Sequence, residues 1–188
     1  MVGRTHQLCG FTALYTFALV WPYVDMNMQT LIACVICVSL GSLAPDLDNE
    51  DNVIYTLVPA GRKVISEIGE RVFGKHRSIS HSILGVFIMG YLTKWLIFRI
   101  PPENGFDLPA LWYAFMISFV VHIFADFLTK DGVPLVWPWK YRFGFPPFKF
   151  MRIRTGGKIE MFVVNPLLVL FCLALTILYY DRVILLLH

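Results

Sequence analysis

Five long apolar runs divide this chain of 188 residues. They cover residues 8–24, 28–45, 79–98, 109–128 and 161–180, and each approaches the ~20 residues that a membrane-spanning helix needs. A hydrophobic share of 57% and a charged share of only 15% lie far from the composition of soluble domains. The sequence therefore predicts an all-α integral membrane protein with about five transmembrane helices in a single domain, residues 1–188.

The positions of the basic residues predict how these helices are oriented. If the N-terminus is cytoplasmic, the inner segments hold thirteen of the sixteen Lys and Arg residues. Short loops rich in Lys and Arg stay in the cytoplasm. We therefore expect a cytoplasmic N-terminus in an inner or plasma membrane. The net charge of +3 is explained by this orientation and by attraction to anionic lipid, so no nucleic-acid partner is predicted.

Two polar loops lie on the predicted cytoplasmic side. In the first, residues 64–73 alternate apolar and charged side chains at helical spacing, which predicts a short helix on the membrane surface. In the second, residues 129–160 interleave aromatic side chains with Lys, Arg and several prolines. This pattern predicts an irregular segment or short strands in the headgroup region. An interfacial anchor and a platform for a lipid substrate are both open for it.

Histidine and aspartate residues collect at the predicted cytoplasmic ends of the helices. An ionised side chain near the bilayer centre costs roughly 2.5–3.5 kcal/mol, so these groups need compensation. His122 and Asp126 are four residues apart and share one helix face. The topology brings seven such residues to one side of the membrane: His6, Asp46, Asp48, His76, His81, His122 and Asp126.

Imidazole and carboxylate ligands together favour zinc, with manganese or iron as alternatives. Seven ligands exceed one tetrahedral site, so we expect two or more ions that share a bridging carboxylate, Asp46 or Asp48. A clustered site of this kind activates water while it clamps a phosphate, and it therefore indicates a hydrolase.

Each motif also has a plainer interpretation. His6 could be a packing residue, and Asp46 could simply help to end a helix after Pro45. His122 and Asp126 could form an internal hydrogen bond. The segment from His76 to His81 could cap a helix and hold lipid phosphate. Taken together on one side of the membrane, the motifs favour a shared metal site.

Four motifs in order carry a resemblance to a known family. They are PDLD; HRxxxHS, from His76, Arg77, His81 and Ser82; HxxxDxxTxxG, from His122, Asp126, Thr129 and Gly132; and TGGxxE, which ends at Glu160. With His6 ahead of them, they resemble the YdjM-like family of bacterial and archaeal inner-membrane proteins, described as metal-dependent hydrolases. Ser78 and Ser80 depart from the family pattern but remove no ligand. A fainter likeness, chiefly HxxxD, is to zinc-dependent phospholipase C and the P1-type nucleases.

The resemblance and the membrane context together predict a reaction. A site at headgroup level would meet lipid phosphates first, and Arg suits bidentate phosphate binding. We expect a metal-dependent phosphoesterase that acts on a lipid or lipid-linked phosphate at the cytoplasmic face. Arg77, Arg154 and Lys158 would neutralise the phosphate, and Glu160 would be an eighth ligand or a general base.

Three other classes of protein compete with this prediction. A non-catalytic metal-binding or transport protein would line an ion path with carboxylates and imidazoles through the bilayer depth. A structural subunit would use the polar cluster only to hold its helices together. A haem protein would have no use for the clustered carboxylates.

Overall fold

The computed structural model describes residues 1–20, 27–47, 79–139 and 141–187. Within this part of the chain the regular structure is helical, and pairing between extended segments is limited to two isolated bridges. The α-helices are α1 (Gly3–Val20), α2 (Met28–Leu43), α3 (Ile83–Ile97), α4 (Leu108–Phe127), α5 (Asn165–Leu178) and α6 (Tyr180–Leu187).

Helices α1 to α5 fall on the five predicted apolar runs, and α6 follows the last of them. Among the described residues, three helical segments are long and apolar enough to cross a membrane, namely Met28–Asp46, Leu108–Phe127 and Glu160–Leu178. Helix α3 is apolar but shorter. Helix α1 is less apolar because Arg4, His6 and Gln7 occupy its first two turns. The all-helical membrane architecture is thus confirmed, while the count of five spans stays a prediction.

Helix α2 ends shortly before its apolar run does, and helix α3 begins one turn after the start of its run. Pro45 lies in a 3₁₀ turn, Ala44–Asp46, that follows α2, since proline has no N–H for a further helical bond. Ser82 is the N-cap of α3, and its Oγ accepts a hydrogen bond from the Gly85 N–H at 3.0 Å. The residues before it form a second 3₁₀ turn, Ile79–His81. Asp46 and His81 therefore lie in turns rather than within the helices.

Helices α2 and α4 form the closest pair of the bundle. Gly41 allows this approach, because a Cβ there would collide with the Phe115 carbonyl and the Ser118 side chain of α4. Small residues at helix contacts are typical of membrane proteins, in which close backbone packing replaces the hydrophobic driving force. Helix α1 packs on both members of the pair, α3 packs on α4, and α5 packs on α1.

The segment between α4 and α5 is irregular, as predicted. Thr129 pairs with Ile153 and Val133 with Phe143 in the two isolated bridges. The buried Arg152 side chain donates two hydrogen bonds within the segment. Its Nε donates to the Pro146 carbonyl at 2.6 Å and its Nη2 to the Pro147 carbonyl at 3.0 Å. Several aromatic side chains on the segment are exposed: Trp139, Tyr141, Phe148 and Phe150. The surface helix predicted at residues 64–73 lies outside the described residues.

Candidate metal centre

Four elements meet at the end of the bundle where α1 begins. Helix α1 contributes His6, the turn after α2 contributes Asp46, and the turn before α3 contributes His81. His122 and Asp126 lie four residues apart near the end of α4, on one face. The side chains of His6, His81, His122 and Asp126 are completely buried, and that of Asp46 is 16% exposed. The convergence expected from the topology is therefore present for these five residues.

The donor atoms of four of these residues form a compact group. Nε2 of His81 lies 3.4 Å from Oδ1 of Asp46 and 3.5 Å from Oδ2 of Asp126. Nε2 of His122 lies 3.6 Å from Oδ1 of Asp46 and 4.0 Å from Oδ2 of Asp126. One ligand atom from each residue can be chosen so that all four lie within 4.8 Å of one another.

This spacing can be compared with a zinc site. Nitrogen and oxygen ligands at about 2.0–2.2 Å from a tetrahedral zinc lie roughly 3.3–3.6 Å from each other. Three of the four His–Asp distances, 3.4, 3.5 and 3.6 Å, fall in that range. Hydrogen bonds between these groups would be shorter, about 2.7–3.2 Å. The group therefore fits ligands arranged around an ion better than a directly hydrogen-bonded cluster.

A backbone carbonyl sets the orientation of the His122 ring. Nδ1 of His122 lies 2.6 Å from the Ser42 carbonyl oxygen, which can only accept a hydrogen bond. Nδ1 therefore donates to this carbonyl, and the ring is held with Nε2 directed toward the two carboxylates. Metal-binding histidines are usually held in this way by a partner on the other ring nitrogen. Nδ1 of His81 has a comparable contact with Ser80 Oγ, at 3.1 Å.

His6 extends the group on one side. Its ring stacks on the His122 ring with centroids 3.6 Å apart, and its Nε2 lies 3.3 Å from Oδ1 of Asp126. The N-terminal ammonium of Met1 contacts the same carboxylate oxygen. His6 does not belong to the compact group of four donors, but it lies where it could bind an ion that shares Asp126.

The charge balance of the site also favours a cation. Among the described residues, Oδ1 of Asp46, Nε2 of His122 and both ring nitrogens of His6 are buried and make no hydrogen bond. A buried polar atom that lacks a hydrogen bond costs about 1–3 kcal/mol, and more if it is charged. Two carboxylates balance the charge of one divalent ion, and the imidazole nitrogens supply its remaining ligands.

Glu160 lies beside the group with both carboxylate oxygens engaged by the backbone. Oε1 accepts the Val2 N–H at 2.7 Å, and Oε2 accepts the Gly156 N–H at 2.8 Å. The side chain is completely buried. These bonds tie the start of the chain to the turn that precedes α5, and Glu160 is not among the four clustered donors. Its predicted role as a ligand or a base stays a prediction.

The remaining predicted residues divide into two sets. Arg154 and Lys158 are exposed and flank the turn whose Gly156 N–H binds Glu160, so they lie near the metal end of the bundle. Asp48, His76 and Arg77 lie outside the described residues. The expectation of two or more ions depends on Asp48 and His76 and is not tested here.

Sequence reasoning missed two parts of this region. The Ser42 carbonyl that orients His122 has no signature, because every residue carries a carbonyl group. The sequence predicts Arg152 only as one of the cytoplasmic basic residues. In the structure Arg152 is buried, and its guanidinium donates hydrogen bonds to two proline carbonyls of the loop. The nearby prolines and glycines, which leave carbonyls accessible and space for the guanidinium, were the available signal.

Comparison with known proteins decides the family. The profile of the YdjM inner membrane protein family matches residues 1–184. The chain belongs to the YdjM inner membrane protein family. It is 33% identical to the inner membrane protein YdjM of Escherichia coli K12 over 131 residues, which are 69% of this chain and 60% of that protein. The Shigella flexneri YdjM protein gives the same values.

A third relative of this YdjM-family chain matches over nearly its whole length. The YvsG protein of Bacillus subtilis is 27% identical over 184 residues, which are 97% of this chain and 99% of YvsG. The chain thus spans about 60% of the length of the two YdjM proteins. No solved structure matches it.

These findings confirm the resemblance to the YdjM family and the inner-membrane location. The fainter likeness to phospholipase C and P1-type nucleases has no support among these relatives.

Proposed function

We propose that this YdjM-family protein is a metal-dependent hydrolase that cleaves a phosphate ester of a membrane lipid at the cytoplasmic face. The observation that carries the proposal is the buried group of Asp46, His81, His122 and Asp126. Four donors from three separate elements meet there, at spacings that suit a divalent ion. A helix bundle that needed only packing would gain more from apolar side chains of the same volume.

Zinc is the ion that this set of two imidazoles and two carboxylates suits best, with manganese as the alternative. An ion at this position supplies Lewis acidity toward a phosphoryl oxygen and makes water a better nucleophile near neutral pH. The chain's own contribution is to hold the donors in place. Ser42 fixes the His122 ring, and the bundle keeps the group buried.

A lipid phosphate is the proposed substrate because of what surrounds the group. The exposed Arg154 and Lys158 flank the turn next to Glu160 and would offer positive charge to a phosphate. We also propose that the chain crosses the membrane five times with its N-terminus in the cytoplasm. The group would then lie at the headgroup level of the inner leaflet, where lipid phosphates are concentrated.

A transport function is less well supported. In the described residues, the buried carboxylates and imidazoles are confined to one end of the bundle. The buried polar side chains elsewhere, such as Thr30, Thr93 and Ser118, are hydroxyls. An ion path through a membrane requires polar groups along its depth.

Elemental analysis of detergent-purified protein tests the proposal first. Wild-type protein is compared with His122→Ala and Asp126→Ala, with Ser118→Ala on the same helix as the control. We expect at least one zinc or manganese ion per chain in the wild type and the control, and its loss in the two site variants. A wild-type protein that stays free of metal after reconstitution with zinc would refute the metal-dependent function.

Release of phosphate or of a phosphorylated headgroup from a panel of phospholipids and lipid phosphates tests the reaction. We expect activity in the wild type and in Ser118→Ala, and its loss in His122→Ala together with the metal. Metal binding with no turnover on any lipid of the panel would leave a binding or structural role and reject the phosphoesterase.

A further inference from the structure

An open apolar crevice of about 650 Å³ lies beside α1. Helices α1 and α4 form two of its walls, and α5 with the π-helical turn before it forms the third. Its lining includes Ala13 and Phe17 from α1, Val121 and Phe124 from α4, and Leu168 and Phe171 from α5. Phe124 is 60% exposed and Phe171 48% exposed, so the crevice opens on the outside of the bundle. Between membrane-spanning helices, the outside is lipid.

The crevice reaches the edge of the candidate metal centre at Met1, which lines it and whose N-terminal ammonium contacts Asp126. The end of the crevice nearest the metal centre is lined by Cys9, three residues after His6, and by Ala125, which directly precedes Asp126. Val20 lines the other end. With a rise of 1.5 Å per residue, the helical distance from Cys9 to Val20 is about 16 Å. This is about half of the ~30 Å hydrocarbon core, which is the depth that one acyl chain occupies in one leaflet.

The two threonine hydroxyls that line the crevice are already engaged within the protein. Thr16 Oγ1 donates to the Thr12 carbonyl at 2.7 Å, and Thr12 Oγ1 accepts a hydrogen bond from Cys172 Sγ at 3.4 Å. The lining is therefore apolar and suits a hydrocarbon chain.

A second crevice, of about 530 Å³, lies on the other side of α1. Its walls include Leu31 and Val35 from the first half of α2, and Val183 from α6. These residues are remote in their helices from Asp46, which follows the end of α2. The first crevice, in contrast, is lined by Met1, whose ammonium contacts Asp126.

We propose that the crevice between α1, α4 and α5 binds one acyl chain of a bilayer lipid and so brings the ester of that lipid to the metal centre. The binding site stands on the geometry of the crevice, and the delivery step rests on the proposed hydrolase function. The headgroup of the bound lipid would lie at Asp126 and His6, and its chain would run along α1 toward Val20.

Photo-crosslinking in vesicles tests the binding without requiring turnover. The full chain is reconstituted in phosphatidylglycerol and phosphatidylethanolamine vesicles that contain phosphatidic acid with a diazirine on its acyl chain. In the wild type we expect crosslinks to concentrate on the peptides of α1 and α4 that line the crevice. Ala13→Trp fills the crevice and should reduce their yield roughly tenfold or more. Ala174→Trp, an exposed position of α5 outside both crevices, is the matched control and should keep the wild-type yield.

Further variants keep the outcome decisive. If Ala13→Trp does not fold, Val121→Trp fills the same space from α4. His122→Ala should lose metal and keep the crosslinks, because it leaves the crevice lining unchanged. Crosslinks spread evenly over the outer helix surfaces, or an unchanged yield in the folded Trp variants, would overturn the acyl-chain site. Crosslinks in the crevice together with no hydrolysis of any lipid would reject the proposed reaction alone.

Discussion

Two acidic side chains of this protein, Asp126 and Glu160, are completely buried, yet they are held in different ways. Asp126 faces His6, His81 and the N-terminal ammonium, so its surroundings are groups that can bind or replace a cation. Glu160 instead accepts two backbone N–H groups. A buried carboxylate is stabilised either by a cation or by several hydrogen-bond donors. Asp126 has the first kind of surroundings and Glu160 the second. This difference separates a binding role from a positioning role.

Replacing Glu160 tests that separation. In Glu160→Gln the amide group offers one acceptor oxygen, and its NH₂ would face a backbone N–H. We expect a loss of about 1–3 kcal/mol in the free energy of unfolding, with unchanged metal content. Thermal unfolding and elemental analysis measure the two quantities, and Glu103→Gln, at an exposed position, is the control. Loss of the metal from the folded Glu160→Gln variant would make Glu160 a ligand instead.

At the scale of the helices, the contact between α2 and α4 controls the site. Gly41 permits the close approach of the two helices, and the next residue, Ser42, supplies the carbonyl that holds Nδ1 of His122. Asp46 follows in the same segment. The distance between α2 and α4 therefore sets the position of Asp46 relative to His122, and a change at the helix contact is transmitted to the metal ligands.

Gly41→Ala should damage both packing and metal binding. The added Cβ would collide with the Phe115 carbonyl, which cannot rotate away. We expect a destabilisation of about 1–3 kcal/mol and a metal affinity roughly 10–100-fold lower, measured by thermal unfolding and by zinc titration.

Gly90→Ala is the matched control for this prediction. Its added Cβ would meet only the flexible end of the Met116 side chain, at 3.3 Å. The control should bind zinc as the wild type does. Equal zinc affinity in Gly41→Ala and Gly90→Ala would show that the helix contact does not control the ligands.

At the scale of the whole molecule, the candidate metal centre joins elements that are far apart in the chain. His6 and Asp126 are separated by more than half of the sequence, and Asp46 and His81 flank the long first loop. A ligand that binds only the folded state stabilises it by about 2.7 kcal/mol at a free concentration one hundred times the dissociation constant. A metal bound at the candidate metal centre should therefore also hold the bundle together.

Removing the metal should lower the midpoint of thermal unfolding. We expect a chelator to destabilise the wild type and zinc to restore it, whereas magnesium should not, because it prefers oxygen ligands and keeps its water. The His122→Ala variant is the control, and its midpoint should not respond to the chelator. An unchanged midpoint in chelator-treated wild type would contradict a structural contribution of the metal.

The orientation of the bundle in the membrane is a separate prediction. Reporter fusions in the loop at residues 130–158 should give a cytoplasmic signal, because the loop is rich in Lys and Arg. A fusion at Glu103, between α3 and α4, should report the opposite side. A signal from the outer side for the loop would place the metal centre there and exclude a substrate in the inner leaflet.

The sequence by itself determined the membrane class, the approximate helices and five of the residues that meet at the candidate metal centre. Hydrophobic runs depend on local composition, and His or Asp residues at their ends are conspicuous because they are costly in a membrane. The pairing of His122 with Asp126 likewise followed from helical spacing alone.

The tertiary structure decided how these side chains are arranged relative to one another. The 3.6 Å spacing between Nε2 of His122 and Oδ1 of Asp46 depends on how closely α2 and α4 pack, and the 3.4 and 3.5 Å spacings of His81 depend on the turn before α3. The orientation of His122 depends on a carbonyl eighty positions away, and Glu160 was directed to the backbone by the fold of the chain around it. Such relations join distant parts of the chain, and no local pattern of residues encodes them.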